Sequence, residues 1–136
     1  MVDRDEYVSF EVAELARTKG FNVNCGFFYA RIKFRTDIGN LQVYPWIDGI
    51  NNTEWDKERD SINDYDNISA PSKFILDKWL LYNHHLQITI FSQSQESWQF
   101  KITKPHETLE EVELYEDYGT KYEAWDDALK VALNMI

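Results

Sequence analysis

The apolar residues of this chain change period along its length, from helical spacing to strict alternation and back. That change limits the folds open to it. Between Phe28 and Arg35, Phe28, Ala30, Ile32 and Phe34 point one way, and Tyr29, Arg31, Lys33 and Arg35 the other. A period of two belongs to a half-buried strand. Leu41 to Trp46 alternates again, with Leu41 and Val43 opposite Gln42, Tyr44 and Trp46. Asp, Gly and Asn between Thr36 and Asn40 suit a turn. The reading is a β-hairpin with one apolar face, and Pro45 marks a strand end or a sheet edge. Leu86, Ile88 and Ile90, then Trp98, Phe100 and Ile102, repeat the pattern as a second hairpin turned by Ser92 to Glu96.

Helical spacing fills the intervals. Ser9 caps a first helix over 9–19, where Val12, Leu15 and Ala16 recur and Lys19-Gly20 closes. Ser69 caps a second over 70–83, with Pro71 in its first turn, Ile75, Leu76, Trp79 and Leu80 as its buried stripe, Phe74 and Leu81 beside it, and Asn83 as left-handed terminator. Thr120 and Glu123 open a third, whose Trp125, Ala128, Leu129, Ala132, Leu133 and Ile136 keep the spacing to the last residue. Residues 48–67 read as a long polar loop, and 105–119 show no clear element. The order is α-ββ-α-ββ-α, with the α-ββ unit appearing twice. The expected fold is α+β: one domain over 1–136, an antiparallel sheet of two hairpins covered by three helices. Trp79, Trp98 and Trp125 fall on three apolar stripes and are expected in one core.

Composition narrows the functions. No apolar run nears the roughly 18 residues of a membrane span, and MVDRDEYVSF lacks the basic and apolar regions of a signal peptide. Cys25 is the single cysteine, which points to a reducing, cytoplasmic setting. The formal net charge is −10, from 24 acids and 14 bases, a field opposed to duplex DNA. The acids cluster: six acids and two bases lie from Glu54 to Asp66, and nine acids with one base from Glu107 to Asp127.

Few residues suggest chemistry. His84 and His85 are adjacent, so at a helix end their side chains diverge; they read as a helix C-terminus favoured by the dipole, not as metal ligands. Asp60, Asp64 and Asp66 lack the glycine and the twelfth-position glutamate of a calcium loop. No nucleophile elbow, P-loop or dinucleotide fingerprint occurs. No catalytic residue, metal or cofactor is implied. One constellation stands out: Tyr29, Arg31, Lys33 and Arg35 beside Tyr44 and Trp46. Cations among aromatics on an open strand face suit a nucleotide, with bases on rings and phosphates on guanidinium groups.

Ala70-Pro71-Ser72, Leu76, Trp79-Leu80, His84, Leu86 and Ile88, with the ending Tyr122-Glu123-Ala124-Trp125, Ala128-Leu129, Ala132-Leu133 and Ile136, form a second pattern. It resembles small proteins of Bacteroides-type gut bacteria, their phages and mobile elements. The resemblance spans residues 69–136. It implies a mobile-element accessory protein, makes the histidine ending the second helix a family feature, and transfers no catalytic residue.

These observations give a leading expectation of a non-enzymatic phage or mobile-element protein. It would bind a host macromolecule through acids such as Asp56, Glu58, Asp60, Asp64 and Asp66, in an anti-defence or nucleic-acid-mimic role. The second expectation is a nucleotide-binding protein using the basic-aromatic hairpin face, and the third a minor virion component.

Overall fold

The computed structural model describes residues 4–32, 41–43, 49–57, 65–104 and 111–136. The α+β class holds, with four helices and two antiparallel sheets among these residues. The elements are α1 (Phe10–Thr18), β1 (Phe27–Ile32), β2 (Leu41–Val43), α2 (Asn52–Lys57), β3 (Tyr65–Ser69), α3 (Lys73–His84), β4 (Gln87–Ser94), β5 (Ser97–Thr103), β6 (Glu111–Tyr118) and α4 (Lys121–Asn134). The two hairpins do not share a sheet: each gains a third strand of its own. By internal contacts the chain divides into two compact units, Met1–Pro71 and Ser72–Ile136, where the sequence reading has one domain over 1–136.

In the first unit the sheet order is β2-β1-β3. Ser9 accepts a hydrogen bond from Val12 N at 3.3 Å and starts α1, and Gly20, at φ 94°, carries the chain away from its end. Antiparallel register sets Tyr29 beside Ile68 and Leu41, and Phe28 beside Ser69 and Gln42. The Tyr29 side meets α1, where its ring stands edge-on to Phe10 at 5.6 Å and Ile68 is fully buried. The Phe28 side meets α2, with Phe28 and Trp55 ring centroids 4.7 Å apart. Helices therefore pack on both faces of the β1–β3 pair.

The interval 48–67, expected to be a loop, contains α2 and the start of β3. Asn51 and Glu54 exchange hydrogen bonds: Glu54 N donates to Asn51 Oδ1 at 2.9 Å, and Asn51 N to Glu54 Oε2 at 3.0 Å. That reciprocal capping box stabilises a six-residue helix too short to persist by propensity. Buried Asn52 then donates to Phe21 O at 2.7 Å and accepts from Ser69 N at 3.0 Å. Just before α2, Cys25 and Ile50 form an isolated antiparallel bridge. Gly49 sits there at φ 64°, and a Cβ on it would lie 2.3 Å from Cys25 O, so only glycine fits.

In the second unit β4-β5-β6 form a meander. Ile88 pairs with Ile102, which pairs with Val112; Ile90 pairs with Phe100, which pairs with Leu114. Alternation puts Ile88, Ile90, Phe100 and Ile102 on one face, against α4, whose Ala124, Ala128, Leu129, Ala132 and Leu133 are all buried. Thr120 Oγ1 accepts from Glu123 N at 3.2 Å, as the cap signature predicts. β6 lies in the stretch that the sequence left unassigned. Its register slips between Trp98 and Phe100, which face Tyr118 and Leu114, so the extra β6 residues form a bulge.

Both ends of α3 differ from expectation. Ser72 is the cap, accepting from Ile75 N at 3.1 Å, while Ser69 closes β3. Ala70, just before a proline, is biased towards extended backbone, which delays the helix. At the far end His85, not Asn83, takes the left-handed conformation, at φ 55°. Trp79, Trp98 and Trp125 are partly buried, and among the described tryptophans Trp55 is the most deeply placed, at 5% exposure.

Candidate functional site

The basic-aromatic constellation does not form one face over the described pairs. It needs Gln42 on the side of Tyr29; the register gives Tyr29 to Leu41 and Gln42 to Phe28. A shift of one position in pairing exchanges the faces of a whole strand. The Tyr29 hydroxyl donates to Val8 O at 2.8 Å, which ties β1 to the segment before α1. Arg31 sits in β1 at the register position opposite Asp66 of β3. Lys33, Arg35, Tyr44 and Trp46 lie outside the described residues. So do Glu58, Asp60 and Asp64, while Asp56 is placed in α2.

The histidines finish α3. The His84 ring stands edge-on to Trp79 at 4.8 Å. His85 N donates to Leu81 O at 3.1 Å and Leu86 N to Leu80 O at 3.3 Å, so the turn satisfies two of the last helical carbonyls. Among the described residues no three His, Cys, Asp or Glu side chains gather as a metal site would require. Cys25 is buried, and desolvation pushes its thiol up to about 12. A thiol at that value holds almost no thiolate at neutral pH and is a poor nucleophile.

The described polar group that sequence reasoning missed lies between α3 and α4. Asp77 accepts a hydrogen bond from Trp125 Nε1 at 3.1 Å. Burial raises its carboxyl to about 6, partly offset by that bond. Four residues earlier Lys73 is 4% exposed, with Nζ 5.7 Å from the Tyr122 ring centroid, and Lys121 Nζ lies 5.8 Å from that of Trp125. The sequence signal is the i, i+4 pair Lys73–Asp77 on the buried side of α3, which the apolar-stripe reading passed over. Tyr118 in turn donates to Asp127 of α4. These bonds join helix to helix and helix to sheet, and each is accounted for within the unit.

Charge is distributed unequally between surface and interior. Among the described residues whose burial is known, every Asp and Glu is exposed or half-buried, and the one buried charged residue is Lys73. No described helix is long and apolar enough to cross a membrane. Neither family models, nor curated proteins, nor solved structures gave a match to this chain.

Proposed function

We propose that this chain is a non-enzymatic binding protein whose acidic surface captures a basic macromolecular partner. The observation that carries the reading is the net charge of −10 together with the charge distribution among the described residues of known burial, where the acids are exposed or half-buried and the buried charged residue is Lys73. Such a surface raises the local concentration of a cationic partner and steers its approach. The perturbed groups Cys25 and Asp77 support binding over catalysis, since one is buried as a thiol and the other holds two helices together. A phage or mobile-element setting, with a host protein as partner, rests on the resemblance of residues 69–136 alone. Nucleotide binding is the weaker reading, because Tyr29 is spent on Val8 and Gln42 lies on the other face.

The test is capture of basic proteins from a host lysate by the immobilised chain. Retention should fall as the Debye length contracts from about 10 Å at 0.1 M salt to about 3 Å at 1 M. Reversing Asp56, Glu58, Asp60, Asp64 and Asp66 to lysine is compared with reversing Glu6, Glu11 and Glu14. Loss with the first set alone places the contact on 56–66; loss with the second alone places it on the N-terminal turn and α1. Retention indifferent to salt and to both sets would end the electrostatic reading.

A further inference from the structure

The two sheets end in four edge strands, β2, β3, β4 and β6. An edge offers a row of unpaired backbone N–H and C=O groups, and proteins blunt it with charge, proline, shortness or a bulge. Three of the four are blunted in sequence. β6 carries Glu111, Glu113, Glu116 and Asp117; β3 is five residues long and holds Asp66; Pro45 stands two residues past the end of β2. β4 is the exception. Its eight residues, Gln87–Ser94, include no charge, no proline and no glycine. Its pairing with β5 runs without a shift from Gln87 to Ser92, and the irregularity comes only beyond.

Among the described residues no strand pairs with the outer side of β4. Its side chains are open as well: Gln87, Thr89, Phe91 and Ser92 are exposed. Ile88 and Ile90 lie on the α4 side yet are only half-buried, although their β5 partners Ile102 and Phe100 are fully buried. The apolar layer under α4 therefore reaches this edge incompletely covered.

We propose that β4 is a strand-addition site for an extended peptide segment, apolar at alternate positions and carrying lysine or arginine outside the paired stretch. Three features set that chemistry. Backbone groups along a flat edge are matched by another backbone in extended form, which supplies affinity without reading sequence. Alternate apolar side chains on the α4 side complete the burial of Ile88 and Ile90, as cross-strand neighbours do within a sheet. β4 itself is uncharged, so a cation in register finds no partner there, while flanking cations meet a chain of net charge −10. The same field repels a second copy of this chain, which the neutrality of β4 would otherwise admit. The regular stretch from Gln87 to Ser92 is about 20 Å long, enough for a short linear segment. The basic flanks rest on the acidic-surface reading; the strand addition does not.

The probe is a synthetic peptide, Lys-Lys-Thr-Val-Thr-Val-Thr-Val-Lys-Lys, added to the isotope-labelled full chain. Hydrogen exchange should slow at every second amide from Gln87 to Ser92, those facing outward, and stay unchanged along β6. N-methylation of every central peptide residue keeps charge and side chains but removes the backbone donors, so it should weaken binding about ten-fold or more. Exchanging the peptide's lysines for glutamates should also weaken binding, by a factor that shrinks as salt rises. The proposal is overturned if the methylated peptide binds as tightly as its parent, or if protection appears elsewhere and not on β4. Concentrating the chain alone until the same amides are protected would give the edge to a second copy and overturn it too. Binding that is insensitive to methylation but sensitive to salt would leave electrostatic capture standing without strand addition. Protection of β4 with equal binding of the glutamate peptide would keep strand addition and overturn the basic occupant.

Discussion

Asp77 is the residue where burial and charge conflict most openly. Its folded carboxyl titrates at about 6 against a reference of 3.8, and burial is the main cause. A carboxyl raised on folding binds its proton more tightly in the folded state, so stability is lost as pH rises from about 4 to 6 and stays lost above. The Trp125 bond recovers part of that cost but does not cancel it. Asp77→Asn keeps an acceptor for Trp125 Nε1 and removes the charge. It should raise stability at pH 7 by about 1 kcal/mol, once solvent screening of a half-buried group is allowed for. At pH 4 wild type and variant should unfold together. Urea titrations at both pH values measure the difference, and equal gains at both would assign the effect to packing rather than titration. His85 is a second residue under tension, a non-glycine in the left-handed region whose cost is met by the two carbonyls that its turn satisfies.

At the scale of elements, α2 shows how a few bonds can replace a hydrophobic stripe. Its six residues place Trp55 against Phe28, and Trp55 Nε1 donates to Ser69 Oγ at 2.9 Å. Trp55→Ala removes a buried ring and leaves Ser69 without that donor, so it should cost about 3–5 kcal/mol. Trp98→Ala, at a half-buried position, should cost less. Denaturant midpoints rank the two, and a larger loss at Trp98 would contradict the burial pattern. α1 and α4 were legible because each carries a cap and a sustained apolar period. β1, β4 and β5 were legible because alternation was strict. α2 was missed because it is too short for a period, although Asn51-x-x-Glu54 announces it. β6 was missed because its bulge breaks the alternation of Val112 and Leu114 before Tyr118. The candidate hairpin face is a different case: alternation tells which residues of one strand share a side, while register decides which side the partner strand offers, and over the described pairs it sets Gln42 with Phe28. Register depends on the turn between them, and 33–40 gave no hairpin signature that fixes it.

The whole molecule repeats a helix and a hairpin, then completes each sheet differently. In the first unit the chain leaves β2, forms α2, and returns β3 to the far side of β1; in the second, β6 follows β5 directly. A simple duplication would place the third strand alike, so the shared order does not extend to shared topology. The second unit is the more local of the two, a meander of neighbouring strands closed by the helix that follows. Its first residue, Ser72, is the cap of α3, and Thr120 caps α4, so cutting there removes no cap. Its core residues Leu76, Leu80, Phe100, Ile102, Leu129 and Leu133 are fully buried, which is a substantial core for a segment of this length. A fragment spanning 72–136 should therefore fold by itself, with mixed helix and strand circular dichroism, dispersed amide resonances and one cooperative thermal transition. It should be less stable than most larger domains, since small cores leave little margin. A fragment with a coil spectrum and collapsed amide dispersion would show that six buried core residues and two caps are not enough to hold three strands against two helices.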